Sequence, residues 1–426
     1  MFETVLELLK ASGVHAWEAI DVKERGWEFY FIRHALDQNR VRELETITLK
    51  IYQLSDDGES MGSASAELSP TADLSEARAL IESLAYRASL VKDKPYTLHA
   101  PRAAEPSAAA PSLDVAAIAG DFLRAMRALP ETETEDINSY ELFVSAKTRR
   151  LVTSAGIDVE ESFPDSMLEV VVNARHDGHE IELYRNYKSG SCDAAALARD
   201  LAKTMRYGKD RLHTAATPNL GKTDVLFSSS AAVDIYRYFV TRLDTAMVAR
   251  RLSDWELGKS VADHFDGDRL TVETLRTLPN SSHNRLYDGE GAPIRDLVLL
   301  REGVAEHYVG GRKFAAYLGL DDCFVPTNLA VSGGTHSEAE LRSGKYLEAV
   351  EFSDFQVDAM TGDIFGEIRL GYWHDGETVT PVSGGSVSGS MRDFIKALYA
   401  STESVQYNNW RIPALTRLAG VTVTGG

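Results

Sequence analysis

The amino-acid sequence predicts an α+β fold made of an N-terminal domain, residues 1–220, and a C-terminal domain, residues 221–426. Three observations lead to this prediction. At 426 residues the chain is too long for one ordinary hydrophobic core. The order helix, strands, helix occurs twice in the N-terminal part, which indicates a duplicated unit. The C-terminal part has short strand patterns separated by glycine-rich turns, which is typical of a mainly antiparallel sheet with a few helices.

The first unit begins with an amphipathic helix over residues 1–12, where apolar residues stand among charged ones. Asp57-Gly58 predicts a tight turn between two strands. A second helix is predicted from Ser75, whose hydroxyl can cap free backbone N–H groups, to about Lys92. The alternating patterns between these helices predict strands near 14–22, 27–35, 44–54 and 61–67.

The second unit repeats this order after a proline-rich segment. Residues 101–112 contain three prolines among small residues, which predicts a linker or a long surface excursion. Asp177-Gly178 predicts the turn of a long hairpin. The elements predicted for this unit are helices at 113–129 and 192–207, strands near 139–156, and a hairpin at 166–187.

The C-terminal domain is predicted to contain a sheet that closes on itself or packs against another sheet. Apolar patterns predict helices near 231–249 and 390–399. The strands predicted in this domain lie at 224–228, 297–301, 346–357, 364–373 and 378–389.

The composition limits the compartment and the partners. Cys192 and Cys323 are the only cysteines, too few for a disulfide framework, which favours a reducing cytoplasm. The first helix lacks the basic and apolar regions of a signal peptide, and no apolar stretch predicts a membrane span. A formal net charge of −19 would repel a phosphate backbone, so direct nucleic-acid binding is not expected.

The short motifs that usually mark metal or phosphate sites are incomplete in this sequence. Residues 219–223, NLGKT, lack the earlier glycine of a phosphate-binding loop and precede a strand pattern. His176 and His179 flank a hairpin turn with no further ligand nearby in sequence. Residues 263–268 lack the ligand spacing of a calcium loop, and Glu306-His307 lacks the second histidine of a zinc motif. We therefore predict no catalytic or metal-binding residue in this chain.

A serine-rich segment offers the one alternative of nucleophilic catalysis. Ser386, Ser388 and Ser390 can expose hydroxyl groups, but the Gly-x-Ser-x-Gly spacing of a nucleophile elbow is absent. A turn with a helix N-cap at Ser388 or Ser390 is the favoured interpretation. The alternative is a stand-alone hydrolase in which Ser386 or Ser388 works with His336 or His374.

The C-terminal half carries a series of short segments in a defined order. They are Asn328-Leu329, Ser332-Gly333-Gly334, Ser337 to Leu341, Thr361-Gly362-Asp363, Gly371 to Glu377, Thr380-Pro381-Val382, Ser388-Gly389-Ser390, Ile412 to Leu415 and Gly420 to Val423. In this order they resemble the TldD/PmbA family, the modulators of DNA gyrase. One departure is Trp373-His374-Asp375, where Ile-Glu-Asn is usual. The N-terminal half matches the family in pattern only.

The resemblance implies which branch of that family the chain is similar to. In the TldD branch a helix bears His-Glu-x-x-x-His, and a cysteine near the C-terminus completes a zinc site. Here the corresponding helix, 231–249, has no histidine, and residues 404–413 have no cysteine. The chain therefore looks like the TldE (PmbA) branch, a non-catalytic subunit that joins a TldD-like paralogue.

The resemblance also implies partners and contacts. The expected assembly is a heterodimeric zinc metallopeptidase acting on unfolded or leader peptides, with zinc in the paralogue and no cofactor in this chain. A homodimeric peptide-binding protein is the other alternative. We expect glycine-rich turns to let backbone approach a peptide or partner closely. The residues expected to make these contacts are Asn328, Gly333, Gly334, Thr335, Thr361, Gly362 and Asp363.

Overall fold

Six antiparallel strands and four helices build the N-terminal part, in a computed structural model that describes residues 1–105 and 111–426. The first unit comprises α1 (Phe2–Ala11), β1 (Ala16–Ile32), β2 (Ala35–Leu54), β3 (Met61–Leu68) and α2 (Leu74–Ser89). The second comprises α3 (Val115–Arg127), β4 (Glu135–Thr153), β5 (Asp158–His176), β6 (His179–Ser189) and α4 (Ala194–Arg211). The strand order is β3-β2-β1-β4-β5-β6. The two units thus mirror each other across the β1–β4 pair, which confirms the predicted duplication.

The helices cover the sheet because its strands alternate apolar and polar residues. Trp17 and Ala19 of β1 pack under α1 and α2. Phe31, farther along the same strand, packs under α3 and α4 and stacks on Tyr140 with ring centroids 4.3 Å apart. One long strand therefore contributes to the hydrophobic cores of both units.

The predicted strands at 14–22 and 27–35 are wrong as separate elements, since both belong to β1. β2 also begins at residue 35, not near 44. The outer half of β2 has few buried side chains, and Val41 is 76% exposed. Because neither face is covered there, the sequence shows no apolar alternation. The hairpin turn at Asp177-Gly178 is confirmed, with φ of +46° and +79° as a two-residue turn requires.

Helix α2 begins one residue before the predicted cap. Asp73 accepts a hydrogen bond from the backbone N–H of Glu76 at 2.8 Å, and the Glu76 carboxylate accepts one from the N–H of Asp73 at 2.8 Å. This reciprocal capping box satisfies two free N–H groups. Ser75 lies inside the first turn, so its prediction as the N-cap is wrong.

The chain that follows α2 connects the two parts through specific contacts. Asp93 pairs with Lys313 at 2.6 Å, and the Thr97 carbonyl accepts a hydrogen bond from Arg312 Nε at 2.8 Å. The Tyr287 hydroxyl accepts one from the N–H of Ala104 at 3.0 Å. Residues 101–105 form no helix or strand, and residues 106–110 of the predicted linker lie outside the described part of the chain.

The remaining strands form two sheets. They are β7 (Ala215–Ala216), β8 (Gly221–Phe227), β9 (Thr271–Leu275), β10 (Leu297–Arg301), β11 (Val304–Ala305), β12 (Asn328–Ser332), β13 (Tyr346–Val357), β14 (Asp363–His374), β15 (Val379–Ser383), β16 (Ser386–Ser390), β17 (Leu398–Ala400), β18 (Ser404–Tyr407), β19 (Trp410–Pro413) and β20 (Thr416–Thr424). The helices are α5 (Ala232–Arg242), α6 (Thr245–Ala249), α7 (Arg312–Tyr317), α8 (Glu338–Leu341) and α9 (Met391–Phe394).

One of these sheets closes into a barrel. Its path runs β13-β8-β20-β16-β14, and β13 also pairs with β14, which joins the two ends. β15 and β7 extend the sheet beyond β14. The other sheet has the order β11-β10-β9-β12-β19-β18. Antiparallel pairs predominate in both, as predicted, and the predicted domain boundary at residue 220 falls between β7 and β8 of one sheet.

Several predicted C-terminal elements are shorter than expected. The helix at 231–249 is interrupted before Asp244, whose carboxylate accepts a hydrogen bond from the N–H of Ala246 at 2.7 Å and caps α6. The strand at 378–389 is divided at Gly384-Gly385, where φ is +79° and +73°. The helix at 390–399 is the single turn α9, followed by a 3-10 turn, Ile395–Ala397, and β17. Among the described residues, no helix is both long and apolar enough to span a bilayer.

The capping box gives the first testable prediction. Asp73→Ala removes the acceptor for the Glu76 N–H, so we expect the free energy of unfolding to fall by about 1 kcal/mol. Ser75→Ala is the matched control two residues away, expected to change stability by less than about 0.5 kcal/mol. Urea unfolding of both variants measures the difference. Equal losses, or a larger loss in the Ser75 variant, would contradict the capping assignment.

Candidate functional site

Helix α5 and strand β19 contact each other in the core between the two C-terminal sheets. These are the two segments in which the resemblance would place zinc ligands. Their contact is built from buried apolar and aromatic residues, among them Ile235, Phe239, Trp410 and Ile412. The folded chain thus brings the segments together without bringing any imidazole or thiolate between them.

Polar side chains near this contact make hydrogen bonds within the chain, although the buried Nε of Arg242 has no partner among the described residues. The hydroxyl groups of Tyr236 and Thr416 share a hydrogen bond of 2.6 Å. Arg242, at the end of α5, is 1% exposed and donates to the Leu252 carbonyl at 2.6 Å. Its guanidinium also pairs with Asp254 and lies 5.8 Å from the ring centroid of Trp255. The charge of Arg242 is therefore compensated inside the structure, as a buried charge must be.

The described side chains form no metal-binding cluster. Within residues 1–105 and 111–426, no three His, Cys, Asp or Glu side chains are grouped closely enough to hold a metal ion. Burial, the largest cause, raises the pKa of both Cys192 and Cys323 to about 12. At neutral pH both cysteines are therefore neutral thiols, which are weak nucleophiles. The described residues thus form no group that fits a zinc ion.

The incomplete motifs occupy ordinary structural positions. His176 and His179 lie opposite each other across the β5–β6 turn, and His176 packs edge-on against His213 at 4.3 Å. Gly221, in the NLGKT segment, opens β8. Residues 263–268 form a loop in which Asp263 pairs with Lys396 at 2.8 Å. Glu306 pairs with Arg301 at 2.7 Å.

The serine-rich segment forms β16, and the structure does not bring its serines to a histidine. Ser388 lies opposite Phe365 on β14, and both face the outer side of the barrel. His374 lies nine residues farther along β14, which is roughly 30 Å at about 3.3 Å per residue. His336 shares a hydrogen bond of 3.1 Å with Thr335. Ser390 caps α9, as predicted.

The predicted contact residue Asn328 begins β12 of the six-stranded sheet, and Gly333 and Gly334 directly follow the end of that strand. Asn328 is fully buried, accepts a hydrogen bond from Ser281 Oγ at 2.6 Å, and has its Nδ2 within 3.3 Å of three other acceptors. A Cβ on Gly334 would lie 2.4 Å from the Ala400 carbonyl oxygen. A Cβ on Gly333, where φ is +107°, would lie 2.6 Å from the Arg269 carbonyl oxygen. Gly333 and Gly334 therefore let other backbone segments of this same chain approach closely.

The other predicted contact residues are divided between two places. Thr335 donates from Oγ1 to Asp268 Oδ1 at 2.6 Å, next to the six-stranded sheet. Thr361, Gly362 and Asp363 form the turn between β13 and β14 of the barrel, where Asp358 accepts from the Thr361 N–H at 2.8 Å. The seven residues thus do not form one continuous cluster. Their role in binding a peptide or partner stays a prediction.

A cavity opens on the outer side of the barrel. It has a volume of about 620 Å³ and lies where β14, β15 and β16 meet the end of α4. Two arginines and a pair of consecutive glycines distinguish it from the surrounding surface. The lining residues are Arg211, Phe365, Glu367, Ile368, Arg369, Ser383, Gly384, Gly385 and Ser386.

Comparison with known families and proteins agrees with this architecture. Residues 220–425 match the family model of the PmbA/TldA metallopeptidase C-terminal domain. An uncharacterized protein of Methanocaldococcus jannaschii is 23% identical over 262 residues, which cover 58% of this chain and 60% of that protein. The chain thus spans less than two thirds of the length of this relative.

Three solved structures have the same fold along the whole chain. TldE from Thermococcus kodakarensis superposes with a TM-score of 0.78 at 13% identity, covering 99% of this chain and 100% of TldE. A "putative modulator of a DNA gyrase" from Thermotoga maritima gives 0.77 at 17% identity, with 99% of both chains covered. A protein of the same description from Bacteroides thetaiotaomicron gives 0.77 at 18% identity, covering 100% of this chain and 97% of that one. On the family match of residues 220–425, the C-terminal half of the chain belongs to the TldD/PmbA family, and the chain as a whole shares its fold with these three proteins.

Proposed function

We propose that this chain is a non-catalytic, TldE-like subunit that pairs with a zinc-bearing TldD-like paralogue in a heteromeric metallopeptidase for unfolded or leader peptides. The observation that carries this proposal is the apolar contact between α5 and β19. Catalytic zinc sites use three protein ligands and leave one position for water. The side chains packed at this contact include Ile235, Phe239, Trp410 and Ile412, and neither α5 nor β19 contains a histidine or a cysteine.

The chemistry of peptide hydrolysis then requires a second chain. A metal-bound water and a general base must lie within reach of the scissile carbonyl. The serines of β16 do not replace the zinc ion and the general base. Ser388 lies opposite Phe365 on β14, and His374 lies nine residues farther along that strand. In the proposed assembly this chain binds and orients the peptide, and the paralogue supplies the zinc ion and the general base.

Metal analysis and peptide cleavage together test this division of labour. We expect less than about 0.1 zinc per chain in the purified protein and no cleavage of an unfolded peptide, because the ligands are missing. Co-expression with the paralogue should give a complex that cleaves the peptide and contains zinc. Changing the first histidine of the paralogue's His-Glu-x-x-x-His to alanine should lower the cleavage rate by at least about 10³-fold without separating the subunits.

Two results would contradict the proposal. One tightly bound zinc in this chain alone would place a metal site where none is expected. Cleavage by the chain alone, lost in Ser388→Ala, would instead favour the stand-alone hydrolase.

Substitution of Gly334, one of the predicted contact residues, tests whether this glycine has a structural role or a role in binding. We expect Gly334→Val to lower the free energy of unfolding by at least about 2 kcal/mol, because its side chain would collide with the backbone of Ala400 and Ser401. Gly289→Val is the matched control, since a Cβ there has no neighbour within 4 Å. Thermal unfolding measured beside peptide cleavage distinguishes the roles. Normal stability with slower cleavage would show that Gly334 contacts the peptide.

A further inference from the structure

We propose that the cavity where β14, β15 and β16 meet binds the terminal carboxylate of a peptide, and that Arg211 and Arg369 recognise the charge. This inference names a substrate feature for the peptide-binding role proposed above, and it rests on that role. It assigns a binding site to a part of the barrel distant in sequence from the segments at the α5–β19 contact.

The two arginines keep donors available for an anion. Over the described ranges, neither guanidinium makes a hydrogen bond, and Arg211 has no carboxylate within 4.0 Å. Arg369 Nη2 lies 3.9 Å from Glu367 Oε2, which is too long for a hydrogen bond. Glu367 instead accepts a hydrogen bond from Ser353. The Glu351 carboxylate, which also lies near Arg211, is bound by Arg185.

Arg211 is partly buried near other charged side chains. Burial lowers the pKa of Arg211, and the positive charges of Arg369 and Arg185 lower it further, against the opposing effect of Glu351. Glu351 favours the charged guanidinium, whereas burial and the two neighbouring arginines disfavour it. A bound anion would offset them, because charge-assisted hydrogen bonds to a guanidinium are stronger than neutral ones.

The wall between β15 and β16 is backbone only. Gly384 and Gly385 have φ of +79° and +73°, a conformation that favours glycine. A Cβ on Gly385 would lie 2.2 Å from the Thr424 carbonyl oxygen, so a side chain is excluded there. Both glycines are held to β14 through Ile368, by hydrogen bonds of 2.9 Å and 3.1 Å. The packing of residues 424–426 against this wall therefore requires glycine, and the two glycines present only main-chain atoms to the cavity.

The other lining residues select the kind of anion. Phe365 is 48% exposed and, with Ile368, gives an apolar surface beside the arginines, which suits a terminal residue with an apolar side chain. The Glu367 side chain is 58% exposed at the rim, where it would repel a second negative charge. This favours a singly charged carboxylate over a phosphate dianion. The volume of about 620 Å³ is in the usual range for small-ligand sites.

A pair of peptides tests the proposal on the full chain without any partner. The probe is a fluorescein-labelled peptide of seven alanine and serine residues followed by leucine, with either a free C-terminal carboxylate or a carboxamide. Fluorescence anisotropy should give at least about tenfold tighter binding for the carboxylate, the equivalent of one charge-assisted hydrogen-bond pair. Raising the salt concentration should reduce the difference in affinity between the two peptides, because salt screens the attraction between the carboxylate and the arginines. Equal affinities for the two peptides in the unmodified chain would overturn the proposal.

Single-residue variants test whether the preference for the carboxylate peptide comes from the cavity. Arg211→Gln and Arg369→Gln should each remove most of the preference for the carboxylate, with unchanged thermal unfolding. Arg78→Gln, an exposed arginine on α2 without an ion pair among the described residues, should keep it. A preference that survives in both cavity variants would place the site elsewhere and contradict the assignment. If one cavity variant fails to fold, the other cavity variant and the comparison of the two peptides in the unmodified chain still test the proposal.

The outcome is separable from that of the proposed function. If the chain prefers the carboxylate but does not assemble with the zinc-bearing paralogue, the cavity assignment holds and the heterodimer proposal fails. If the complex assembles and cleaves peptides but the chain has no preference, only the cavity assignment fails.

Discussion

The packing of α5 between the barrel and the six-stranded sheet is the interaction on which the C-terminal part depends. This helix contacts β13 on one side and β19 on the other, and its aromatic residues join the two sheets in one hydrophobic core. Tyr236, Tyr238 and Phe239 are each at most 2% exposed. Fully burying such side chains stabilises a fold by several kcal/mol in total. A zinc site in the same place would have to replace part of that core with polar ligands.

The two parts of the molecule are joined by polar contacts as well as by chain connectivity. Arg149 donates to the carbonyls of Tyr287 at 3.2 Å and Asp288, and Glu161 accepts from the N–H of Leu286 at 2.9 Å. Arg285 stacks on Phe163 with its guanidinium carbon 3.0 Å from the ring centroid. These contacts extend those made by residues 93–105, so that the uncovered face of the N-terminal sheet packs on the C-terminal part.

The cavity lies near a second junction of these parts. Arg211 is the last residue of α4, whereas Arg369 and the glycine pair belong to the barrel. Tyr372 of β14 donates to Asp210, beside Arg211, at 2.5 Å. The position of Arg211 in the cavity is therefore fixed by a contact between the N-terminal helix and the barrel.

Local sequence signals predicted several elements correctly. The hairpin turn at Asp177-Gly178 is present because its turn chemistry determines it, and the strands 297–301 and 346–357 are present where the sequence has runs of apolar residues. The outer half of β2 was missed because both of its faces are exposed. β9, β12 and β19 were missed because short strands buried by distant segments give little periodicity.

The candidate site, too, could be predicted from the sequence only in part. The absence of histidine from 231–249 and of cysteine from 404–413 could be read from the sequence. That these segments contact each other depends on tertiary structure, and so does the meeting of Arg211 with Arg369. A signal for the cavity does exist in Gly384-Gly385, two consecutive glycines inside a predicted strand, because such a pair usually marks a break or a close backbone approach.

Native mass spectrometry of this chain co-expressed with a TldD-like protein that carries His-Glu-x-x-x-His tests the proposed pairing of a zinc-free with a zinc-bearing subunit. We expect a one-to-one complex that carries one zinc ion, and we expect the ion to be lost when the first histidine of that motif is changed to alanine while the complex stays intact. A homodimer of this chain that excludes the TldD-like protein, or a zinc ion that stays with this chain when the complex is dissociated, would contradict the proposed pairing.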